Sequence, residues 1–352
     1  MTCSREITPM QRVLTTLSHQ EPDRVPFFLL NNLHGARLLE VSIEDYFQRP
    51  DWVAEGQIRL QERYQDDCYY TFFYAALEVE AFGGEVLFFE DGPPNGGTPV
   101  IQQAKQIDSL EAPRIEDSPP LARVLDATRR MHQHAGDRIP LIGVVMSPFS
   151  LPVMQMGFEA YLELIYNDPK RFERLMQINE DFCVRWANAQ LSAGATAICY
   201  FDPMSSPSMI PADLYRKTGF PIARRTLARI EGATATHFAS TRLLPIADDL
   251  RHIGTQVVGV GHEERMVDAK RALGEEITLL GNLNGIEMVS WTDEMIAEQV
   301  KRALQAAPGG GLILGDNHGE LPWQVPDSVL MSLSSGIRQM GRYPIAEAFL
   351  HE

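Results

Sequence analysis

The sequence contains little cysteine and no long uninterrupted apolar run. Its four cysteines form no CxxC pair; they are Cys3, Cys68, Cys183 and Cys199. This pattern excludes a cysteine-based zinc finger and indicates a reducing compartment. No stretch approaches the roughly 18 apolar residues of a membrane span, and the N-terminus has no apolar core of the signal-peptide type. We therefore expect a cytoplasmic protein that does not bind membranes.

Positive charge is also scarce. The chain has 31 Lys and Arg residues against 47 Asp and Glu residues, which gives a formal net charge of −16. Such an acidic surface repels phosphate backbones, so nucleic acid is not an expected partner. The sequence has no Walker A loop, no HExxH helix and no GxSxG elbow. A P-loop enzyme, a zincin and an α/β-hydrolase are therefore not expected.

Eight short apolar runs separated by helical segments predict the fold. They are 25–31, 68–73, 140–146, 196–202, 233–238, 256–262, 277–282 and 311–316. Because the runs are continuous rather than alternating, the strands should be buried on both faces, as in a parallel sheet. We predict a (β/α)8 TIM barrel as a single domain over residues 1–352, with an N-terminal helical extension. An open doubly wound sheet is the alternative, but no GxGxxG follows the first strand.

Further signals mark individual elements. Asp168 followed by Pro169 predicts a helix start, Thr292 predicts another, and Pro50 divides a helical stretch. The segment 78–120 contains a loop rich in glycine and proline and reads as a β-hairpin excursion from the barrel.

Polar residues cluster where the predicted strands end, which is where TIM barrels place their active sites. The candidates are Asp202, His237, His262, Glu263, Asn282, Asp316, Asn317, His318 and Glu320. Each alone could cap a helix or meet solvent. Together they predict a shared site, in which two or three imidazoles and a carboxylate would suit Zn²⁺ with an open fourth position.

Several motifs resemble the uroporphyrinogen decarboxylase superfamily over nearly the whole chain. They include "DRVP" near the start, "AFGGEVLFFEDGPP", "GATAICYFDPMSSPSMIPADLYRK", "GNLNG" and "GGLILGDNHGELPWQVPDSVL". The chain is most similar to the branch of methylcobalamin:coenzyme M methyltransferases, whose fold is the same barrel. Decarboxylases of the superfamily hold substrate carboxylates with an arginine motif of the type MRQAGRY after the first strand. Here that place reads "LLNNLHGARLLE", and only Arg37 remains.

The resemblance also implies a metal site. The branch binds zinc through a His-x-Cys pair after strand five and a Cys after strand eight. The first ligand matches His237, but the paired Cys position is Ala239, and the second Cys falls near His318 or Asn317. The missing ligand could be replaced by Glu263, His262 or Asp316, or the chain binds no metal.

We therefore expect a corrinoid-dependent methyltransferase. It would move a methyl group between methylcobalamin, carried by a small corrinoid-binding protein, and a small acceptor such as a thiol. His237 and His318 would hold zinc with Glu263 or His262, and the residues that orient, deprotonate or hydrogen-bond the acceptor would be Asp202, Glu320, Asn282 and Asn317. The alternatives are a decarboxylase-like carboxy-lyase and a non-catalytic partner of a corrinoid protein. A homo-oligomer is compatible with the sequence.

Overall fold

The computed structural model describes residues 7–316 and 319–349. Two of the predicted site residues, Asn317 and His318, lie outside the described residues. Within these ranges, no helix is both long and apolar enough to cross a membrane.

The eight predicted strands are confirmed, and a short antiparallel pair adds two more. The strands are β1 Phe27–Phe28, β2 Tyr69–Tyr70, β3 Val86–Leu87, β4 Asn95–Gly96, β5 Leu141–Met146, β6 Ala197–Phe201, β7 Ala233–His237, β8 Val257–Gly259, β9 Thr278–Leu280 and β10 Leu312–Gly315. Each of the eight predicted strands is shorter than the apolar run that predicted it, because the residues at the ends of the runs lie in loops.

Eight of the strands form one parallel sheet in the order β1-β10-β9-β8-β7-β6-β5-β2. The two strands at the ends of this order also meet, because the Asp67 N–H donates to the Phe27 carbonyl oxygen at 2.7 Å. The sheet therefore curls into the predicted barrel. Its parallel register aligns the carboxyl ends of neighbouring strands, for example Phe201 of β6 beside His237 of β7.

Helices surround the sheet. They are α1 Pro9–Leu17, α2 Asn32–Leu39, α3 Ile43–Gln48, α4 Pro50–Tyr64, α5 Leu77–Ala81, α6 Pro119–Ala135, α7 Leu151–Met156, α8 Phe158–Asn167, α9 Pro169–Ser192, α10 Ala212–Lys217, α11 Gly219–Leu227, α12 Ala247–Leu250, α13 Met266–Leu273, α14 Asp293–Leu304 and α15 Asp327–Met340. The Asp168 and Thr292 side chains cap α9 and α14, and Pro50 separates α3 from α4, as predicted.

The N-terminal extension is confirmed as α1. Val13 of α1 packs into the apolar cluster inside the barrel, together with Phe28 of β1 and Ile313 of β10. A second attachment is ionic: Arg12 pairs with Asp67 at 2.7 Å and with Asp23 at 2.6 Å, and Arg24 also pairs with Asp67. These contacts hold α1 against the barrel.

The predicted excursion contains the antiparallel pair β3 and β4, which confirms the hairpin. The segment also includes most of α5 and two 3₁₀ turns, Ala104–Ser109 and Ile115–Asp117. The loop between β3 and β4 contributes Pro93 and Pro94 to the wall of a cavity at the carboxyl ends of the barrel strands, and the first residue of β4, Asn95, lines it as well. The excursion therefore helps to form the site.

Candidate functional site

A cavity of about 380 Å³ lies at the carboxyl ends of the barrel strands. Its wall includes Phe201 at the end of β6, His237 at the end of β7, and Asp316 after β10. The strand ends therefore converge on a shared space, as the sequence predicted. A volume of several hundred Å³ is typical of a site for a small organic ligand.

Aromatic and acidic side chains give this cavity its character. Six aromatic residues line it: Tyr70, Phe72, Phe73, Tyr74, Trp186 and Phe201. Three carboxylic residues line it as well: Glu78, Asp316 and Glu320. Among the described residues of the wall there is no Lys or Arg. The cavity can therefore surround an apolar or positively charged group, whereas an anion would meet no fixed cation there.

Glu78, near the start of α5, is buried, with 5% of the residue exposed. Its Oε1 accepts the Met146 N–H at 2.8 Å, while its Oε2 has no hydrogen-bond partner. Burial raises the pKa of the Glu78 carboxyl from its usual 4.5 to about 8, against the opposing effects of the Met146 N–H and the Trp186 indole. The Trp186 indole N–H lies near this carboxyl but forms no hydrogen bond to it. Glu78 can therefore exchange a proton near neutral pH.

Glu320 and Asp316 hold the loop after β10 against the segment after β1. The Leu33 N–H donates to Glu320 Oε1 at 2.6 Å, and the Leu30 N–H donates to Asp316 Oδ1 at 3.0 Å. Burial raises the pKa of Glu320 well above its usual range, and the nearby Asp316 carboxyl raises it further. Gly319 between them lines the cavity with φ of +110°, a conformation that L side chains rarely adopt. The predicted role of Glu320 towards a substrate stays a prediction, and its position on the cavity wall is compatible with it.

His237 lies on the cavity wall and stacks on Phe201, with 5.4 Å between ring centroids and 21° between ring planes. The Ala239 N–H donates to His237 Nδ1 at 3.0 Å. Because Nδ1 accepts this hydrogen bond, the neutral ring carries its proton on Nε2. A neutral imidazole binds a metal through the nitrogen that lacks the proton, and here that nitrogen is already used.

Asp202 is placed behind the cavity wall. It is fully buried, and its Oδ1 accepts hydrogen bonds from Ser147 Oγ at 2.5 Å and Ser150 Oγ at 2.7 Å. Burial raises its pKa, and the surrounding serine hydroxyls oppose that rise. Strand alternation explains the position: Cys199 and Phe201 of β6 face the cavity, so the next residue faces the helices. The predicted catalytic role of Asp202 stays a prediction.

The other predicted residues lie around β8 and β9. Glu263 is exposed and pairs with Arg242 at 3.1 Å. Asn282 Nδ2 donates to the carbonyl oxygens of Gly261 and Glu264 at 3.0 and 2.7 Å. Asn282 therefore links the loop after β9 to the loop after β8. Neither residue belongs to the described cavity wall, and His262 does not either. Their proposed roles stay predictions.

The described residues do not by themselves provide a zinc site. Within residues 7–316 and 319–349, no three His, Cys, Asp or Glu side chains form a group that could hold a metal ion. Structural and catalytic zinc sites need at least three protein ligands, and the Nδ1 of His237 already accepts a backbone hydrogen bond. Zinc thus stays a prediction from the resemblance, and no chemical step is derived through it.

Sequence reasoning missed Glu78, Trp186 and Cys199, all of which line the cavity. Glu78 had a signal, since it is an acid between Leu77 and Val79 in the apolar run "AALEV". Trp186 lies within the long helix α9, where nothing in the pattern separates it from core residues. Cys199 was expected to behave as a small hydrophobe, and burial raises the pKa of its thiol to about 12. The Cys199 thiol therefore stays protonated and is not a nucleophile at neutral pH.

The sequence matches the uroporphyrinogen decarboxylase (URO-D) family over residues 8–339. The chain belongs to this family. It is 26% identical to the uroporphyrinogen decarboxylase of Xylella fastidiosa over 355 residues, which cover 94% of this chain and 98% of that relative. It is 28% identical to the uroporphyrinogen decarboxylase of Syntrophotalea carbinolica over 288 residues, 79% of this chain and 81% of that relative. The predicted family is thus confirmed.

A solved structure of the same fold is a methyltransferase from Methanosarcina mazei. It superposes with a TM-score of 0.86 and covers 95% of this chain and 99% of that chain, at 18% sequence identity. This likeness confirms the fold over almost the full length of the chain. Because the sequence identity is 18%, this likeness does not show the activity of the chain.

This URO-D family member keeps one arginine near the place of the decarboxylase arginine motif, and that arginine is engaged elsewhere. Arg37 Nη1 donates to the Val325 carbonyl oxygen at 3.1 Å, and its guanidinium lies 4.5 Å from the centroid of the Trp323 ring. Arg37 does not belong to the described cavity wall. It therefore fixes α2 against the segment before α15, and it is not placed to neutralise a ligand in the cavity.

Proposed function

We propose that this chain is a methyltransferase that moves a methyl group between methylcobalamin and a small molecule held in the cavity, such as a thiol. A small corrinoid-binding protein would carry the methylcobalamin to the open side of the cavity. The observation that carries this proposal is the composition of the cavity wall, which has six aromatic residues, three carboxyls and, among its described residues, no Lys or Arg. The fold likeness to a methyltransferase supports it.

The chemistry requires little from the protein beyond positioning and proton control. The nucleophile's lone pair forms the new bond to the methyl carbon, and the electron pair of the cobalt–carbon bond remains on cobalt. A thiol nucleophile must also lose its proton. Glu78 can accept that proton, since it faces the cavity and burial brings its pKa to about 8. The aromatic wall excludes water, which would otherwise compete as a nucleophile.

The second candidate is a decarboxylase-like lyase, and the names of the relatives favour it. A polycarboxylated porphyrinogen needs several fixed cations, because buried carboxylates without partners are strongly unfavourable. The described cavity wall offers three acids instead. A non-catalytic role as a partner of a corrinoid protein is the third candidate, but such a role would not require buried carboxyls to converge on one cavity.

A methyl-transfer assay tests the proposal. Purified protein is incubated with methylcobalamin bearing a labelled methyl group and a panel of small thiols and amines, and methylated products are detected by mass spectrometry. We expect a product that depends on the protein, and a rate at least roughly tenfold lower in Glu78→Gln. Glu90→Gln, at an exposed acid on the β3–β4 loop, is the matched control. No methylated product with any acceptor would reject the proposal.

A further inference from the structure

The aromatic and acidic wall points to a more specific ligand than a generic nucleophile. Aromatic ring faces carry negative potential and attract cations, and a cation with a diffuse charge and an apolar surface loses the least hydration free energy on leaving water to reach them. A quaternary ammonium group has this character, since methyl groups cover its charge. The six aromatic residues of the wall would offer such a group apolar contact, and its three carboxyls can ionise to the opposite charge.

Glu78 is the wall residue whose carboxyl a cationic ligand would stabilise. Its carboxyl is more than nine-tenths buried, and Oε2 has no hydrogen-bond partner. A buried carboxyl oxygen without a partner is costly, and a cation in the cavity would relieve that cost. Glu320 Oε2 is also without a partner and lines the same cavity. Two incompletely paired carboxyls therefore face one space.

The His237 ring does not oppose the preference of the cavity for a cationic ligand. Its Nδ1 accepts the Ala239 N–H at 3.0 Å, an arrangement that favours the neutral ring over the imidazolium. On α6, Arg123 pairs with Glu80 at 3.1 Å, so its positive charge is balanced by an adjacent carboxylate. The electrostatic balance of the described wall thus favours a cation.

From this geometry we infer that the cavity binds a small quaternary ammonium compound, and that this compound and its tertiary amine are the small-molecule pair of the reaction. The inference rests on the proposed methyl transfer and narrows its substrate class. In the forward step, the amine lone pair bonds to the methyl carbon and the cobalt–carbon pair stays on cobalt. The quaternary ammonium ion and cobalt(I) are the products, and the reverse step restores the amine and methylcobalamin.

Protonation of Glu78 should then be coupled to binding. Burial holds the Glu78 carboxyl at a pKa of about 8, and a bound cation would lower that pKa. Several groups lie around Glu78: β5 offers the Met146 N–H, and α9 offers the Trp186 indole and the Cys183 thiol, whose own pKa is raised by burial. On α6, the Arg123 cation is paired with Glu80 at 3.1 Å. Cation binding near neutral pH should therefore release a proton, and the affinity should rise with pH up to about 8.

Calorimetric titration with choline and with its neutral carbon isostere, 3,3-dimethylbutan-1-ol, tests this inference. We expect choline to bind at least roughly tenfold more tightly than the isostere, and more tightly at about pH 9 than at about pH 6. Glu78→Gln should weaken choline binding by roughly tenfold and leave the isostere unchanged. Glu90→Gln should match the wild type.

The outcomes separate this inference from the proposed methyl transfer. Equal binding of choline and the isostere, or binding of neither, would overturn it, and the wild-type comparison decides this even if Glu78→Gln fails to fold. Choline binding without methyl transfer from methylcobalamin would keep the cation site and reject the methyltransferase. Methyl transfer to a neutral thiol without choline binding would reject the cation site alone.

Discussion

Among single residues, Glu78 links protonation to stability. Its pKa is about 8 in the folded chain because of burial, against a usual 4.5. The folded chain therefore keeps a proton that the unfolded chain has released between about pH 4.5 and pH 8. Stability must fall as pH rises through this window, and the loss ends once the folded-state carboxyl has also ionised. A neutral amide at this position would remove the effect.

We predict that Glu78→Gln flattens the dependence of unfolding free energy on pH. The wild type should lose up to about 1.4 kcal/mol per pH unit more than the variant between about pH 5 and pH 8. The glutamine carbonyl can still accept the Met146 N–H, so the fold should persist. Denaturant unfolding at several pH values measures this. Parallel curves for the two proteins would show that Glu78 titrates normally.

His237 allows the zinc prediction to be tested. If His237 is a wall residue and not a zinc ligand, protein purified without chelators should contain well below one zinc per chain. His237→Ala should then lower the unfolding free energy by about 1–3 kcal/mol, because the Ala239 N–H loses its acceptor and Phe201 its stacking partner. Elemental analysis of the wild type, His237→Ala and His318→Ala decides the matter. One zinc per wild-type chain, lost in both variants, would restore the site implied by the resemblance.

At the scale of elements, α1 is attached to the barrel both by apolar packing and by one ionic network. Arg12 of α1 is almost fully buried, and its partner Asp67 is more buried still, with side-chain exposures of 5% and 1%. Asp67 also accepts from Arg24 Nη1 and from the Phe27 N–H. The network therefore connects α1, β1 and the start of β2.

We predict that Arg12→Leu destabilises the protein by about 3 kcal/mol, since removal of one partner leaves buried carboxylates incompletely paired. The matched control is Arg59→Leu, which removes an arginine paired with Glu55 on the surface of α4. That change should cost at most about 0.5 kcal/mol. Denaturant unfolding of both variants gives the comparison. Equal effects would mean that the buried network contributes no more than a surface pair.

For the whole molecule, the charge of the cavity wall bears on whether uroporphyrinogen is a substrate. The described residues of the wall include no arginine or lysine that could bind its carboxylates. We predict that the purified protein does not convert uroporphyrinogen to coproporphyrinogen, although its relatives carry the name of that activity. Chromatography of the oxidised products measures this, with a uroporphyrinogen decarboxylase as the positive control. Clear formation of coproporphyrinogen would reject the methyltransferase proposal together with the cation site.

The sequence by itself determined the elements and the fold. The eight apolar runs became the eight barrel strands, and the Asp168, Thr292 and Pro50 signals marked helix boundaries. These features depend on neighbouring residues, since burial on both faces selects continuous apolar runs, and a capping side chain or a proline acts within one turn. The strand ends could also be predicted to meet, because parallel strands in a barrel place their carboxyl ends together.

Only the tertiary structure decided which side chains face the cavity. A strand alternates its faces at every residue, so the cavity receives Phe201 and Asp202 lies behind the wall. Glu78 reaches the cavity from the helix that precedes the hairpin, and Trp186 reaches it from α9, far from either in sequence. Their approach depends on how α5 and α9 pack against the closed barrel. No local pattern contains that information, because it arises from contacts between residues more than one hundred positions apart.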